Sequence, residues 1–461
     1  MKPVLDQIQP HVRGAVVRLA EALKQAGGRL VLVGGCVRDA AWGYPVEDID
    51  CEAYGLPVED LEKVLQKSFK FDAVGRSFGV YKLKGWPIDV ALPRRESKVA
   101  LGHCGFQVEG DPFMPFEEAA SRRDFTCNAV GYDPLTGEWI DPHSGLDAIE
   151  KRQLVHVGPA FVEDPLRVLR GMQFVARFGL KPDPKTIALC QSLTLEGLSK
   201  ERIFEEFKKC LLKGKHMVEA FEFLRETEWV RFFPELQALI GCPQDPEWHP
   251  EGDVWAHTLF CLQAFSERRV GDAWEDLVLG FAVLCHDLGK PLTTAKGDDG
   301  RIRSPGHDVV GEGVAREFLD RLTDHKDLVE AVLSLVLTHM RPTDLYKNNA
   351  SDAAIRRLSV KVGRIDRLVR LVEADCAGRP PLPVDCPEGA WLLERAHALE
   401  VSHAKPVPWV LGRHLIDMGM KPSPQFKVIL DAAYEAQLEG QIRSLEEGLS
   451  FVRGWVLRDG D

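Results

Sequence analysis

The sequence predicts an α+β protein in which a small mixed β-sheet head over about the first 150 residues is followed by an extended all-α remainder. Three observations carry that expectation. Short runs rich in apolar and β-branched residues recur at 29–33, 48–54, 71–74, 80–84 and 88–91, with Gly, Pro or polar residues between them. Beyond Asp147 the apolar positions return every three or four residues, as at 165–178, 203–212 and 217–227, and no convincing strand series follows. The chain has 461 residues, 45% of them hydrophobic and 28% charged, so it can bury several cores and is too apolar for disorder.

Taken in order, an amphipathic helix is expected over residues 5–25, then a buried strand at 29–33 closed by Gly34-Gly35, with a helix beginning near Val37. The polar stretch 241–253, bearing Pro, Gly and Trp, reads as a linker between helical parts. A second linker is expected at 378–387, where Pro380, Pro381, Pro383 and Pro387 crowd together. The last 75 or so residues read as helical again, ending in an amphipathic segment over 423–449.

Composition excludes several classes. The longest nearly apolar run, 277–285, is too short to cross a bilayer, and residues 1–10 lack the basic-then-apolar profile of a secretion signal. A cytoplasmic protein with no membrane partner is expected. The 11 cysteines are odd in number and contain no Cys-x-x-Cys pair, so they read as reduced thiols, mostly buried. A net charge of −12 opposes indiscriminate nucleic-acid binding. Residues 165–215 nevertheless carry 11 Lys/Arg against five Asp/Glu, a basic face of the kind selective RNA docking needs and also the kind a solvated helix presents.

The chemistry-bearing residues of the head begin at Gly34-Gly35, where the absence of side chains lets the backbone approach a phosphate at a helix start. The next strand carries Asp48 and Asp50 at i and i+2. Strand side chains alternate, so both carboxylates project from one face and can hold a hard divalent ion together. Asp89, in Trp86-Pro-Ile-Asp-Val-Ala91, is a third candidate from a neighbouring strand. Rigid carboxylates holding two magnesium ions are the usual machinery of nucleotidyl transfer.

Three ordered motifs then resemble a known family. Gly34-Gly35-Cys-Val-Arg38-Asp39 with Asp48-Ile-Asp50 is similar to the signature of the polymerase β nucleotidyltransferase superfamily, in its class II tRNA CCA-adding and poly(A) polymerase branch. Arg122-Arg123-Asp124-Phe-Thr-Cys-Asn128-Ala resembles that family's RRDFTxNA motif, and Glu163-Asp164-Pro-Leu-Arg167-Val-Leu-Arg170 its EDxxR segment. The resemblance implies that Asp48 and Asp50 bind catalytic Mg2+. It implies that Gly34, Gly35 and Arg38 hold the triphosphate, and that Arg123, Asp124, Asn128 and Arg170 surround the nucleotide. It also implies that Asp164 and Arg167 read the base of ATP or CTP by hydrogen bonding. Spacing alone favours an i,i+3 helix salt bridge for Asp164 and Arg167. Residues 94–118, with Arg94, Arg95, Lys98, Gly102, Gly105 and Gly110, match the flexible loop the family places before RRDFT, and their content leaves open whether CCA, CC or only A is added.

Farther along, His257, His286-Asp287 and Asp375 form a series with His307 and His339 between. Imidazole and carboxylate groups suit a divalent transition metal or Mg2+. The order resembles the H…HD…D pattern of HD-domain phosphohydrolases, which implies phosphatase or cyclic phosphodiesterase activity, or else an RNA-binding strut. The domains expected are a nucleotidyltransferase head (1–150), a helical nucleotide-recognition neck (151–245), an HD domain (246–385) and a helical C-terminal region (386–461). The enzyme expected extends tRNA 3′ ends. The alternatives are a CC-only or A-only enzyme, a poly(A) polymerase, and an HD-type phosphohydrolase or regulator whose head only binds ligand. The basic run Arg356, Arg357, Lys361, Arg364, Arg367 and Arg370 reads either as phosphate contacts or as a solvated face.

Overall fold

The structure, a computed structural model, describes residues 2–74, 79–98 and 106–456. It gathers into two compact units, Met1–Phe232 and Phe233–Asp461. In the first unit the helix Pro10–Gln25 opens on a proline, whose missing N–H costs nothing in a first turn, and buries Val12, Ala15, Val16, Leu19, Ala20 and Leu23 along one stripe. The head's strands are β1 (Arg29–Val33), β2 (Ile49–Tyr54), β3 (Phe71–Val74), β4 (Val80–Leu83), β5 (Ile88–Ala91), β6 (Arg94–Lys98), β7 (Phe106–Gly110), β8 (Gly131–Tyr132) and β9 (Trp139–Ile140).

Seven of these strands form one sheet in the order β3-β4-β5-β2-β1-β8-β9. β2 and β5 run parallel while the remaining neighbours are antiparallel, so the sheet is mixed, as expected. In β2 the apolar Ile49, Cys51 and Ala53 are buried and the acidic residues between them face the other way. The helix after β1 starts at Gly35, two residues before the expected start near Val37, and Gly34 precedes it with φ +72°. That left-handed conformation and a neighbouring Arg123 nitrogen, 3.3 Å from where a Cβ would sit, both favour glycine there.

Residues 94–98 and 106–110, expected as part of a flexible loop, pair instead as the antiparallel ribbon β6–β7, with Arg94 opposite Gly110. Gly102 and Gly105 lie outside the described residues. The head continues into the helix Leu166–Phe178, which ends at Gly179 in the left-handed conformation. That helix packs on Lys200–Lys213 and Met217–Glu226. Its aromatic face joins Phe174 to Phe125 and Phe178, with ring centroids 5.6 and 6.0 Å apart.

The second unit is helical apart from the short pair Ala295–Lys296 and Ile302–Arg303. Its centre is the helix Ala273–Cys285, buried from Asp276 to its end and packed on Val254–Glu267, Lys326–Val336 and Ile365–Ala377. The stretch 241–253 lies inside this unit rather than joining the two, because the division falls at 232/233. The stretch 378–387 is a short connection between helices Ile365–Ala377 and Pro387–Ala398, which pack on each other. The final expected helix is split into Gln425–Leu438 and Leu445–Val456, since Gly440 takes φ +80° between them. These two helices close a small core with Val410, Leu415, Ile429, Ala433, Ile442 and Val452.

The basic run over 356–370 forms parts of two helices, and most of its charges are neutralised within the unit. Arg367 and Arg364 meet Glu275 at 2.6 and 3.2 Å, Arg370 meets Asp276 at 3.1 Å, and Arg357 meets Glu439 at 2.8 Å. Such pairs leave little positive field for an RNA backbone.

Two candidate catalytic centres

In the head, the parallel register of β2 and β5 sets Asp50 opposite Asp89. Two carboxylates facing each other repel. Burial, then the Asp89 charge, push the Asp50 carboxyl above its ordinary value against the pull of Arg123. A hard divalent cation relieves both effects, so the residues fit magnesium. Asp48, one residue before β2, is exposed, and its charge also acts on Asp50. Lys82 reaches Asp89 at 3.2 Å.

Asp50 and Asp89 line a cavity of about 680 Å³ whose wall also holds Gly34, Gly35, Arg38, Arg123, Asp124, Asn128, Asp164, Arg167 and Arg170. The sequence motifs, more than 100 residues apart at their extremes, therefore converge on one site. Arg177, Arg202 and Lys209 line it too, so part of the basic stretch 165–215 faces this cavity. Sequence reasoning passed over Glu52, although two-residue alternation from Asp50 points to it. Glu52 accepts from Arg123 at 2.8 Å and from the Tyr54 hydroxyl at 2.6 Å, which fixes the guanidinium beside Gly34.

A buried chain of hydrogen bonds forms the back wall. Arg38 donates to the side-chain oxygen Oδ1 of Asn128 at 2.7 Å, the Asn128 side-chain amide donates to Asp124 at 2.8 Å, and Arg170 closes on Asp124 at 2.7 Å. Asp124 and Asn128 thus orient arginines as well as bordering the cavity. Asp164 and Arg167 do not form the i,i+3 salt bridge that spacing favoured. Asp164 is held by Arg202 at 2.8 Å, and Arg167 donates to the carbonyl of Arg122 at 2.6 Å and to that of Ala160. Separate partners leave each side chain fixed at the cavity with its own hydrogen-bonding character.

Burial alone would raise the Asp124 carboxyl. Arg170, the Asn128 amide and the Phe125 N–H outweigh it and hold the group below the usual carboxylate range. A carboxyl depressed by folding adds stability above its unfolded value of about 3.9, and that contribution is lost as the pH falls from there toward the folded value. Arg170→Met is therefore expected to lower stability by about 2 kcal/mol near neutral pH, the low side of a charge-assisted bond because Arg170 is a third exposed. Urea unfolding near pH 7 and pH 3 measures this. A deficit just as large at the acid end would contradict the charge pairing.

The second centre lies in the helical unit, where His257, His286, Asp287, His307 and His339 are all buried. His257 Nε2 stands 3.2 Å from Asp375 and 3.6 Å from Asp287, and His286 Nε2 stands 3.2 Å from Asp287. Asp287 also meets Lys290 at 2.7 Å and His307 at 3.4 Å. The backbone fixes three of the rings. His286 Nδ1 donates to Val283 at 2.8 Å, His307 Nδ1 to Ser304 at 2.8 Å and His339 Nδ1 to Val336 at 2.7 Å, so the Nε2 atoms turn inward.

The fourth ring, His257, has its Nδ1 2.8 Å from the fully buried Glu251. Glu251 and His249 come from the stretch read as a linker, and only the fold reveals their place. His307 and His339 bring their Nε2 atoms within 3.0 Å, an arrangement of two lone pairs that calls for a cation or a proton between them. The buried His286 Nε2 stands beside Asp287 without completing a hydrogen bond to it. Burial opposes a proton on His257, yet the Cys261 sulfur and the Asp375 and Glu251 groups outweigh it and raise the imidazole well above its ordinary value. Acidic surroundings, inward lone pairs and an orphaned nitrogen together fit a divalent metal centre. Of the expected ligands, His257, His286 and Asp375 fall in one cluster with Cys261, and Asp287 falls in a second with His307 and His339, the two meeting where His286 Nε2 stands 3.2 Å from Asp287.

Three families match successive parts of the chain: the Poly A polymerase head domain over residues 30–155, the probable RNA and SrmB-binding site of polymerase A over 179–240, and the HD domain over 258–372. The chain is 36% identical over 394 residues to the multifunctional CCA protein of Stenotrophomonas maltophilia (strain R551-3), covering 81% of this chain and 92% of the relative. Its fold is similar to that of the Bacillus stearothermophilus CCA-adding enzyme in complex with CTP, with TM-score 0.67 and 24% identity over 100% of both chains. It is also similar to the Thermotoga maritima CCA-adding enzyme complexed with tRNA, with TM-score 0.60 and 17% identity over 98% of this chain and 97% of that one.

Proposed function

This chain belongs to the multifunctional CCA protein family of tRNA nucleotidyltransferases, and on that premise we propose that its head adds C and A residues to tRNA 3′ ends from CTP and ATP without a nucleic-acid template. The observation that carries this reading is the carboxylate pair Asp50 and Asp89, set in register on the floor of an arginine-rich cavity. Asp48, Asp50 and Asp89 would hold Mg2+, which when bound supplies positive charge against the triphosphate and the attacking hydroxyl.

The chain's own residues do the rest. Gly34 and Gly35 admit the phosphates to the backbone, while Arg38 and Arg123, each fixed by a hydrogen bond, offer fixed cationic donors. Asp164 accepts from an exocyclic amine and Arg167 donates to a ring nitrogen or carbonyl, a combination that suits the edges of C and A and mismatches G and U. Arg202 and the backbone carbonyls hold these two side chains in place, so the protein can stand in for a template.

The second centre supports a phosphohydrolase reading. His257, His286, Asp287 and Asp375, with His307 and His339 beside them, would hold a divalent transition metal or Mg2+, which when bound polarises a phosphoryl oxygen. Lys290 and Arg379, which line the same pocket, would neutralise an incoming phosphate. Phosphomonoesters and 2′,3′-cyclic phosphates are the substrate class this reading assigns. The same reading puts the protein in the cytoplasm, where tRNA and both triphosphates are available. The paired carboxylates oppose the reading of the head as a binding-only module, since burial and Asp89 hold the Asp50 carboxyl above its ordinary value despite Lys82 and Arg123 nearby.

Extension of tRNAs ending before the first C, after CC, or complete, each with single labelled nucleotides, tests the specificity. The expected result is C incorporation on the first, one A on the second and none on the third. Long A tracts on all three would instead assign a poly(A) polymerase, and A or C incorporation alone would assign a partial enzyme.

A further inference from the structure

We propose that Glu251 is a positioning residue of the second centre, whose carboxylate holds the Nδ1–H of His257 so that the Nε2 lone pair is kept toward the ion. The proposal rests on the reading of that centre as a metal site. Glu251 Oε1 lies 2.8 Å from His257 Nδ1 and 2.8 Å from His249 Nδ1. The carbonyl of Gly378 stands 3.2 Å from the same His257 nitrogen. An ionised carboxylate and a carbonyl can only accept, so Nδ1 must donate. The other ring nitrogen, Nε2, then faces Asp375 at 3.2 Å and Asp287 at 3.6 Å, two of the expected ligands.

This contact differs from those of the neighbouring rings. His286, His307 and His339 set their Nδ1 atoms on backbone carbonyls, whereas His257 alone of the four meets a carboxylate. The Glu251 side chain is fully buried, and its second oxygen, Oε2, has no hydrogen-bond partner. Two imidazole N–H groups give a buried carboxylate hydrogen bonds but no full positive charge, and a cation at the far nitrogen of His257 supplies that charge through the ring.

The chain is shaped to deliver the group. Glu251 precedes the helix Val254–Glu267, so helical spacing does not bring it to His257. Gly252 makes the turn between Glu251 and the helix cap at φ +124°, a conformation that side chains disfavour. Asp253 locks the turn, accepting from the Ala256 N–H at 2.8 Å and from the Gly241 N–H at 2.7 Å. His249, the other imidazole on Glu251, lines the pocket that holds Asp287, Lys290, His307, Asp375 and Arg379. One carboxylate therefore ties an expected ligand to the wall of the pocket that a phosphate would enter.

Zinc uptake by the chelator-stripped full-length chain provides the test, measured by competition with a chromophoric chelator. Glu251→Gln keeps the shape of the side chain and one accepting oxygen but removes the charge, and is expected to bind zinc about tenfold or more weakly than wild type, the scale on which an outer partner of a ligand acts. Selective 15N-histidine NMR of the zinc-loaded wild type needs no variant to fold. It is expected to show His257 protonated at Nδ1 and bound to the ion at Nε2, with the Nδ1 proton strongly deshielded by the carboxylate. His249→Gln removes the second Nδ1 proton on Glu251 and so identifies that of His257. Wild-type zinc affinity in Glu251→Gln, with any loss confined to the stability of the zinc-free chain, marks a bracing role and overturns the proposal while leaving the metal site standing. Zinc bound at Nδ1 of His257 overturns it as well. A folded wild-type chain that takes up no zinc overturns the metal reading itself.

Discussion

Asp50→Ala is expected to abolish nucleotide incorporation into tRNA lacking its 3′ end, with a loss of about a thousandfold or more, the scale on which a principal electrostatic group acts at a reacting centre. The position leaves little room for substitution. Asp50 is the only one of the three head aspartates that both faces Asp89 across β2 and β5 and lies within contact range of Gly34. The same change is expected to leave the melting temperature unchanged or higher. Burial and Asp89 already disfavour the Asp50 charge, so folding gains when it is removed. A fall in activity without a fall in stability separates a catalytic role from a structural one. Primer extension and thermal unfolding on one preparation measure both, and a variant that extends RNA at the wild-type rate would remove the metal assignment.

His286→Ala is expected to reduce hydrolysis of p-nitrophenyl phosphate and of a 2′,3′-cyclic nucleotide by about a hundredfold or more. Nucleotide incorporation in the same preparation is expected to be unchanged. His286 follows the buried helix Ala273–Cys285 and has its Nδ1 fixed by Val283, so its Nε2 can serve only the cluster. The two centres share no residue and belong to different compact units. Loss of both activities in a folded variant would show that they are coupled.

The head was legible in the sequence because its code is local. Two-residue alternation in β2 separated the buried Ile49, Cys51 and Ala53 from Asp50 and Glu52, and the change to helical periodicity after Asp147 marked the end of the sheet. The same local logic missed residues 94–98 and 106–110, which read as part of a loop but pair as β6–β7. It also failed at Asp164 and Arg167, whose spacing fits a salt bridge that the fold replaces with other partners, Arg202 for Asp164 and backbone carbonyls for Arg167. The arginines at 364, 367 and 370 looked available to RNA until Glu275 and Asp276 were found against them.

The amino-acid sequence by itself determined the α+β class, the order of the motifs and the identity of most groups that bear chemistry, because strand alternation, helix period and donor type are properties of neighbouring residues. Only the tertiary structure decided that Asp89 faces Asp50, that Glu52 holds Arg123, and that Glu251 stands against His257. Those relations join segments that chain spacing does not relate. They depend on strand register and on helices packed at close range, where a shift of one residue would turn each group to another face.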